Sequence, residues 1–180
     1  MNIPVAYTGV TLTEIPEKIA VYFVLGDCHQ HCLGCHSPEL GKPVKSPWTM
    51  TELCGYAANQ ISKGANAILL MGGTTNNIRK DDLILLINLL AAIAPVGLYS
   101  GSDDDDLHYE IANLAHLTWL KTGSYQKEKG SLESPTTNQH FYRKEIAYYG
   151  RNPFDIQRTT HLIDQTYLFQ KRKDEQSCSN

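Results

Sequence analysis

Ile19-Ala20-Val21-Tyr22-Phe23-Val24-Leu25 is a short, almost unbroken apolar run rich in β-branched and aromatic residues, the composition of a strand buried on both faces. Val5 to Leu12 alternates more weakly and is placed beside it as a hairpin partner, with the turn near Pro16–Glu17. Downstream the same kind of run recurs at Ala67 to Met71, Val96 to Ser100 and Leu117 to Lys121. Helical periodicity fills the intervals. Met50, Leu53, Cys54, Ala57, Ala58 and Ile61 form one apolar stripe, with Thr49 or Thr51 to cap it and Gly64 to end it. Lys80 to Ala94 begins with Asp81 and Asp82, stops at Pro95 and is apolar on most faces, which predicts a well-buried helix. Asp103 to Ala115 is a third helix, with Leu107, Ile111 and Leu114 inward and Asp103 to Asp106 as a solvated start.

Strand, helix, strand, helix, strand, helix, strand predicts a mainly parallel α/β sheet with right-handed crossovers. About three and a half βα units, in 180 residues, give a partial, open (βα) barrel, since a complete eight-unit barrel needs about 250 residues. Residues 1–169 are expected to form a single domain and 170–180 a polar, fraying tail. The net charge of −3 argues against a broad nucleic-acid face. The longest apolar stretch, Leu83 to Val96, is broken by Asn88 and is shorter than the ~20 residues that span a bilayer. Met1 to Pro16 is polar and mixed rather than signal-like, so a cytoplasmic protein without membrane partners is expected.

The loops that follow the four strands carry the unusual residues: Cys28 to Cys35, then Gly72–Gly73, Ser100–Gly101 and Thr122–Gly123. Parallel α/β sheets bind ligands at these carboxyl ends. The chain has five cysteines, Cys28, Cys32, Cys35, Cys54 and Cys178, an odd number that does not suit a disulfide framework. Cys54 lies on a helix stripe and reads as core, and Cys178 as a free thiol in the tail. Cys28, Cys32 and Cys35 fall within eight residues at the spacing C-x3-C-x2-C. Three thiolates on one loop can hold three irons of a [4Fe–4S] cube and leave the fourth open for chemistry. The rival is a zinc-stabilised binding module using the same cysteines and one of His29, His31 or His36. Structural zinc more often draws on two separated ligand pairs, and no second pair follows here.

C-x3-C-x2-C after a first strand resembles the signature of the radical S-adenosylmethionine superfamily. The wider phrase Cys28 to Leu40 (CHQHCLGCHSPEL) is similar to the activating proteins of anaerobic ribonucleoside-triphosphate reductases, including the small Gly34 before the third cysteine. Leu98-Tyr99-Ser100-Gly101 and Ser134-Pro135-Thr136-Thr137-Asn138-Gln139, with Phe141-Tyr142 behind it, extend the likeness over about Ile19 to Arg143. One departure stands out: where the family carries Gly-Gly, an acidic residue and Pro, this chain has Gly72-Gly73-Thr74-Thr75-Asn76.

The resemblance implies a barrel of the radical S-adenosylmethionine type with a [4Fe–4S] cluster on Cys28, Cys32 and Cys35. S-adenosyl-L-methionine would bind on the open iron, with Gly34 and His36 near the adenine, Gly72 and Gly73 beside the methionine moiety and Ser100 as a polar contact. No catalytic side chain is implied beyond the cluster and its bound cofactor. Reductive cleavage would give a 5′-deoxyadenosyl radical that takes a hydrogen from a glycine of the anaerobic (class III) ribonucleotide reductase, with flavodoxin or ferredoxin as electron donor. An activase of a formate-lyase type enzyme is the neighbouring alternative. Ser134 to Tyr142 is expected to be an exposed loop near the protein substrate.

Overall fold

The computed structural model describes residues 2–149 and 157–170. The expected tail therefore lies outside the described residues except for Gln170, and so does Cys178. In chain order the elements are β1 (Asn2–Ile3), β2 (Val5–Thr11), β3 (Ala20–Leu25), a 3-10 turn at Pro38–Gly41, β4 (Trp48–Thr49), α1 (Met50–Ser62), β5 (Ala67–Met71), α2 (Lys80–Ala91), β6 (Val96–Tyr99), α3 (Asp105–Leu114), β7 (Leu117–Thr122), β8 (His140–Tyr149) and β9 (Gln157–Asp164).

The fold is α/β, built on a seven-stranded sheet of order β2-β3-β5-β6-β7-β8-β9. The four central strands, β3, β5, β6 and β7, run parallel. An antiparallel partner, β2, closes one side, and the antiparallel pair β8 and β9 extends the other. β1 and β4 form a separate two-stranded ladder. Because the parallel strands follow one another in sequence order, successive right-handed crossovers place the helices on one face. Val21, Phe23, Ile68, Leu70, Val96 and Leu98 pack there against Leu53 of α1, Leu83, Leu86 and Leu90 of α2, and Ile111 of α3. The alternate residues Ala20, Ala67, Leu69 and Trp119 face the other way and are covered by Ile15, Leu132, Phe141 and Phe169.

Element ends follow local chemistry. Thr49 caps α1 in a full capping box: its hydroxyl accepts from Glu52 N–H while the Glu52 carboxylate accepts from Thr49 N–H. α2 stops at Ala91, three residues short of the expected end. Pro95 disfavours helical backbone before it, and the Ile93 and Ala94 amides turn back onto the Leu90 carbonyl. Leu85 and Leu89 on this helix are exposed, so its burial is one-sided. α3 begins at Asp105 because Asp104 is its N-cap, accepting from Leu107 N–H. Leu114, expected inward, is exposed, and the inward stripe runs instead through His108, Ile111 and Ala112. β8 and β9 were not expected from the sequence. Among the described residues no helix is long and apolar enough to cross a membrane.

Candidate functional site

The cysteine loop leaves the carboxyl end of β3 and is tied down along its length. Gly26 N–H donates to the Pro4 carbonyl, Cys28 N–H to Leu40 and His29 N–H to Thr75. Asp27, His31 and Gly34 have φ of 58°, 46° and 73°, and this left-handed backbone coils the segment tightly. Cys28, Cys32 and Cys35 are unbridged, and all three line one cavity of about 250 Å³ that His31 also borders. Two of the sulfurs already have polar partners: Ser37 N–H donates to Cys35 Sγ at 3.4 Å, and the Thr75 hydroxyl pairs with Cys28 Sγ at 3.7 Å. Among the described residues no three His, Cys, Asp or Glu side chains are drawn together closely enough to hold a metal ion as they stand. The donor set fits an iron–sulfur cluster in kind, three soft thiols bordering one cavity, while the three sulfurs must draw closer together to hold one.

A second cavity, of about 460 Å³, lies next to the first on the sheet face away from the helices. Its walls include Cys35, His36, Met71, Tyr99, Lys121 and Gln139, so Cys35 borders both spaces. His36 is fixed by Tyr125, whose hydroxyl is 3.0 Å from Nε2 and whose ring packs against the imidazole. Lys121, near the end of β7, sends its ammonium to 5.4 Å from the Tyr99 ring centre. Burial depresses its pKa to about 8, against smaller opposing effects of Glu14 and Cys32. Among the described residues no carboxylate is within ion-pair distance of it. The ammonium is desolvated, and the Glu14 carboxylate in the same cavity wall acts on it only from beyond ion-pair distance, which leaves the cavity able to take an anionic group.

The loop after β5 is held by Asn76, which nothing in the sequence singled out. Its Oδ1 accepts from Gly73 N–H at 2.6 Å, and its Nδ2 donates to the Leu25 and Gly26 carbonyls at 2.9 and 2.6 Å. One buried amide thus ties the Gly-Gly turn to the start of the cysteine loop. Asn76→Ala leaves three buried backbone groups unpaired and is expected to cost about 3 kcal/mol of stability in urea unfolding.

Gly72 and Gly73 have φ of 105° and 108°, which strains any other residue. A Cβ at Gly73 would sit 2.8 Å from Leu83 Cδ1, and one at Gly72 2.8 Å from Asn76 Oδ1. Their side-chain directions therefore point into the protein. Gly73→Val should lower stability by about 3 kcal/mol, read as a fall in thermal midpoint before any effect on a ligand. Gly34 faces Lys127: a Cβ there would meet Lys127 Cδ at 3.0 Å. Ser100, at the end of β6, is buried, with its hydroxyl 2.8 Å from that of Thr74 and 2.7 Å from His108 Nε2. Thr74, which follows the Gly-Gly pair, is thereby joined to a hydroxyl–imidazole chain.

Ser134 to Tyr142 differs from the expected exposed loop at its far end. Gln139 is buried, lines the larger cavity and donates to the Gly123 carbonyl, while Asn138 Nδ2 donates to Ser124 O. The cause is close packing against the β7 end: the Asn138 carbonyl lies 2.8 Å from where a Cβ on Gly123 would stand. The loops after β3, β5, β6 and β7 thus meet at one rim. Comparison with protein-family models, with curated proteins and with solved structures gives no match to this chain.

Proposed function

We propose that this chain is an iron–sulfur enzyme of the radical S-adenosylmethionine type, folded as a partial, open (βα) barrel, that generates a glycyl radical on an anaerobic ribonucleotide reductase. The observation that carries this reading is the position of Cys35, in the wall of both the three-cysteine cavity and the larger cavity beside it. A cluster held by Cys28, Cys32 and Cys35 would have its cofactor and its substrate in reach of the same loop. When bound, the cluster would supply one electron to the sulfonium of S-adenosylmethionine, chemistry that releases methionine and allows a hydrogen to be taken from the glycine. The protein's own contributions are binding and exclusion of water. Lys121 offers a cation for the carboxylate of the cofactor, His36 is oriented by Tyr125, and Met71, Tyr99 and Phe169 give the cavity apolar walls that protect a radical from side reactions.

Sequence-ordered parallel strands with helices on one face support the partial barrel. The test is anaerobic reconstitution with iron and sulfide, followed by an assay for 5′-deoxyadenosine with a reductant, such as reduced flavodoxin, present. A brown protein that forms 5′-deoxyadenosine is the expected result. One observation favours the zinc module instead: His31 borders the same cavity as the three cysteines and would complete a Cys3His set. A colourless protein that binds one zinc and forms no 5′-deoxyadenosine would establish that reading and remove the first.

A further inference from the structure

The four aspartates Asp103 to Asp106 do not share one role. Asp103 Oδ1 accepts from Ser124 N–H at 2.7 Å, and Asp104 Oδ1 accepts from Leu107 N–H at 2.9 Å as the helix cap. The first turn of α3 is therefore already capped by a carboxylate. Among the described residues, Asp105 and Asp106 make no hydrogen bond through their carboxylates; Asp105 has only a 3.9 Å approach to His108 Nδ1. Both border a cavity of about 400 Å³ on the helix side of the rim, with His108, Tyr109, Tyr142 and Leu162.

A charged first turn alone would be a solvated helix start. The second observation is His108, whose side chain is only 4% exposed and whose Nδ1 is buried without a hydrogen-bond partner. Nε2 is satisfied by Ser100 at 2.7 Å. Burial favours the neutral ring, against the opposing pull of Asp105, Asp104 and Asp103. The Ser100 contact suits either tautomer of the ring; in the one that carries its proton on Nε2 and donates it to Ser100, Nδ1 is left as an acceptor beside the cavity that His108 lines. That arrangement is consistent with the rest of the chain: the Ser100 oxygen also accepts from Ser102 N–H, which leaves its own proton for Thr74.

One buried acceptor, two unused carboxylates and the rings of Tyr109 and Tyr142 call for a flat cation rich in donors. A guanidinium meets all of these: its fork matches a carboxylate, its face stacks on a phenol ring, and it sheds water more readily than an ammonium. We propose that this cavity is a docking site for an arginine side chain on the surface of the protein partner. The partner's identity as the reductase rests on the function proposed above, while the guanidinium site stands on its own geometry. The site is placed for such contact, since it reaches Thr122, the last residue of β7, next to the Gly123–Ser124 turn of the cofactor rim.

The test begins with the full chain, reconstituted anaerobically and titrated with N-acetyl-arginine methylamide while the His108 ring resonances are followed by NMR. A saturable shift is expected, weakened about tenfold in the double variant Asp105→Asn/Asp106→Asn. Those two side chains are exposed, so the fold should persist. No shift, a shift indifferent to the double variant, or equal binding of N-acetyl-lysine methylamide would overturn the site. The second arm measures affinity for the reductase. The double variant should bind it about tenfold more weakly, with 5′-deoxyadenosine formation in the absence of the partner unchanged. Undiminished affinity would remove the partner from the proposal. If the unaltered chain forms no 5′-deoxyadenosine, the functional reading fails, and the arginine titration still decides the site.

Discussion

Replacing Cys28, Cys32 or Cys35 singly by alanine should leave the reconstituted protein without a stable cluster and reduce 5′-deoxyadenosine formation to background. In the proposed site each change would delete the only protein ligand of one iron, and a three-cysteine site would have no spare. None of the three side chains belongs to the buried core, and the loop is anchored through backbone groups at Gly26, Cys28 and His29, so the variants should fold normally by circular dichroism. Cys54 provides the contrast. It packs beside the main core from α1, and burial raises its pKa, which makes it a poor thiolate. Cys54→Ala should keep the full iron content and lose about 1 kcal/mol of stability from the small cavity. Cys178→Ser should likewise retain the cluster. Iron and sulfide analysis with the visible spectrum decides the matter. Loss of iron in the Cys54 or Cys178 variant, or its retention in a Cys32 variant, would show that the ligand set is a different one.

The four parallel strands were legible because each is buried on both faces and so is written as an apolar run. β8 was not, because its inward positions include Lys144 as well as Phe141. Lys144 is buried by donating its Nζ to the Ala115 carbonyl at the end of α3, a contact that no period-two pattern of hydropathy reveals. β9 fully buries only Thr160 among its eight residues, with Leu162 partly buried against the main core, and most of its residues are polar. Leu114 differs for a related reason: helical spacing predicts it inward, while the covered stripe passes through His108. At the rim, spacing alone picked out Cys28, Cys32 and Cys35, because three soft ligands in eight residues are rare by composition. Asn76, Tyr125 and Lys121 are ordinary polar residues in ordinary loops or strands. Their meaning comes from neighbours distant in sequence: Leu25 and Gly26 for Asn76, His36 for Tyr125, Tyr99 for Lys121.

Lys121→Met tests the larger cavity without touching a cysteine. Methionine keeps the length and apolar stem of lysine and removes the ammonium. If that ammonium meets the carboxylate of S-adenosylmethionine, the variant should bind the cofactor about thirtyfold more weakly, as expected for the loss of a hydrogen bond to a charged group worth about 2 kcal/mol. Decarboxylated S-adenosylmethionine, which lacks the anion, should bind both proteins alike. The pH dependence follows from the direction of the shift. Burial lowers the folded-state pKa of Lys121 to about 8, so the free protein loses this charge as pH rises through that value. Cofactor affinity should then decline above about pH 8 in the unaltered protein and stay level in Lys121→Met. Stability runs the opposite way. Between about pH 8 and the ordinary lysine range the unfolded chain binds the extra proton, so stability contributed by this group rises with pH, and the charged form below about 8 is the destabilised one. Lys121→Met should therefore melt at or above the temperature of the unaltered protein at pH 7, since it no longer buries an ammonium whose desolvation outweighs the help of Glu14. A more stable protein that binds S-adenosylmethionine poorly and its decarboxylated analogue normally would place the carboxylate at Lys121. Equal affinity for S-adenosylmethionine in both proteins would take the lysine out of the cofactor site and leave its ammonium to the Tyr99 ring alone.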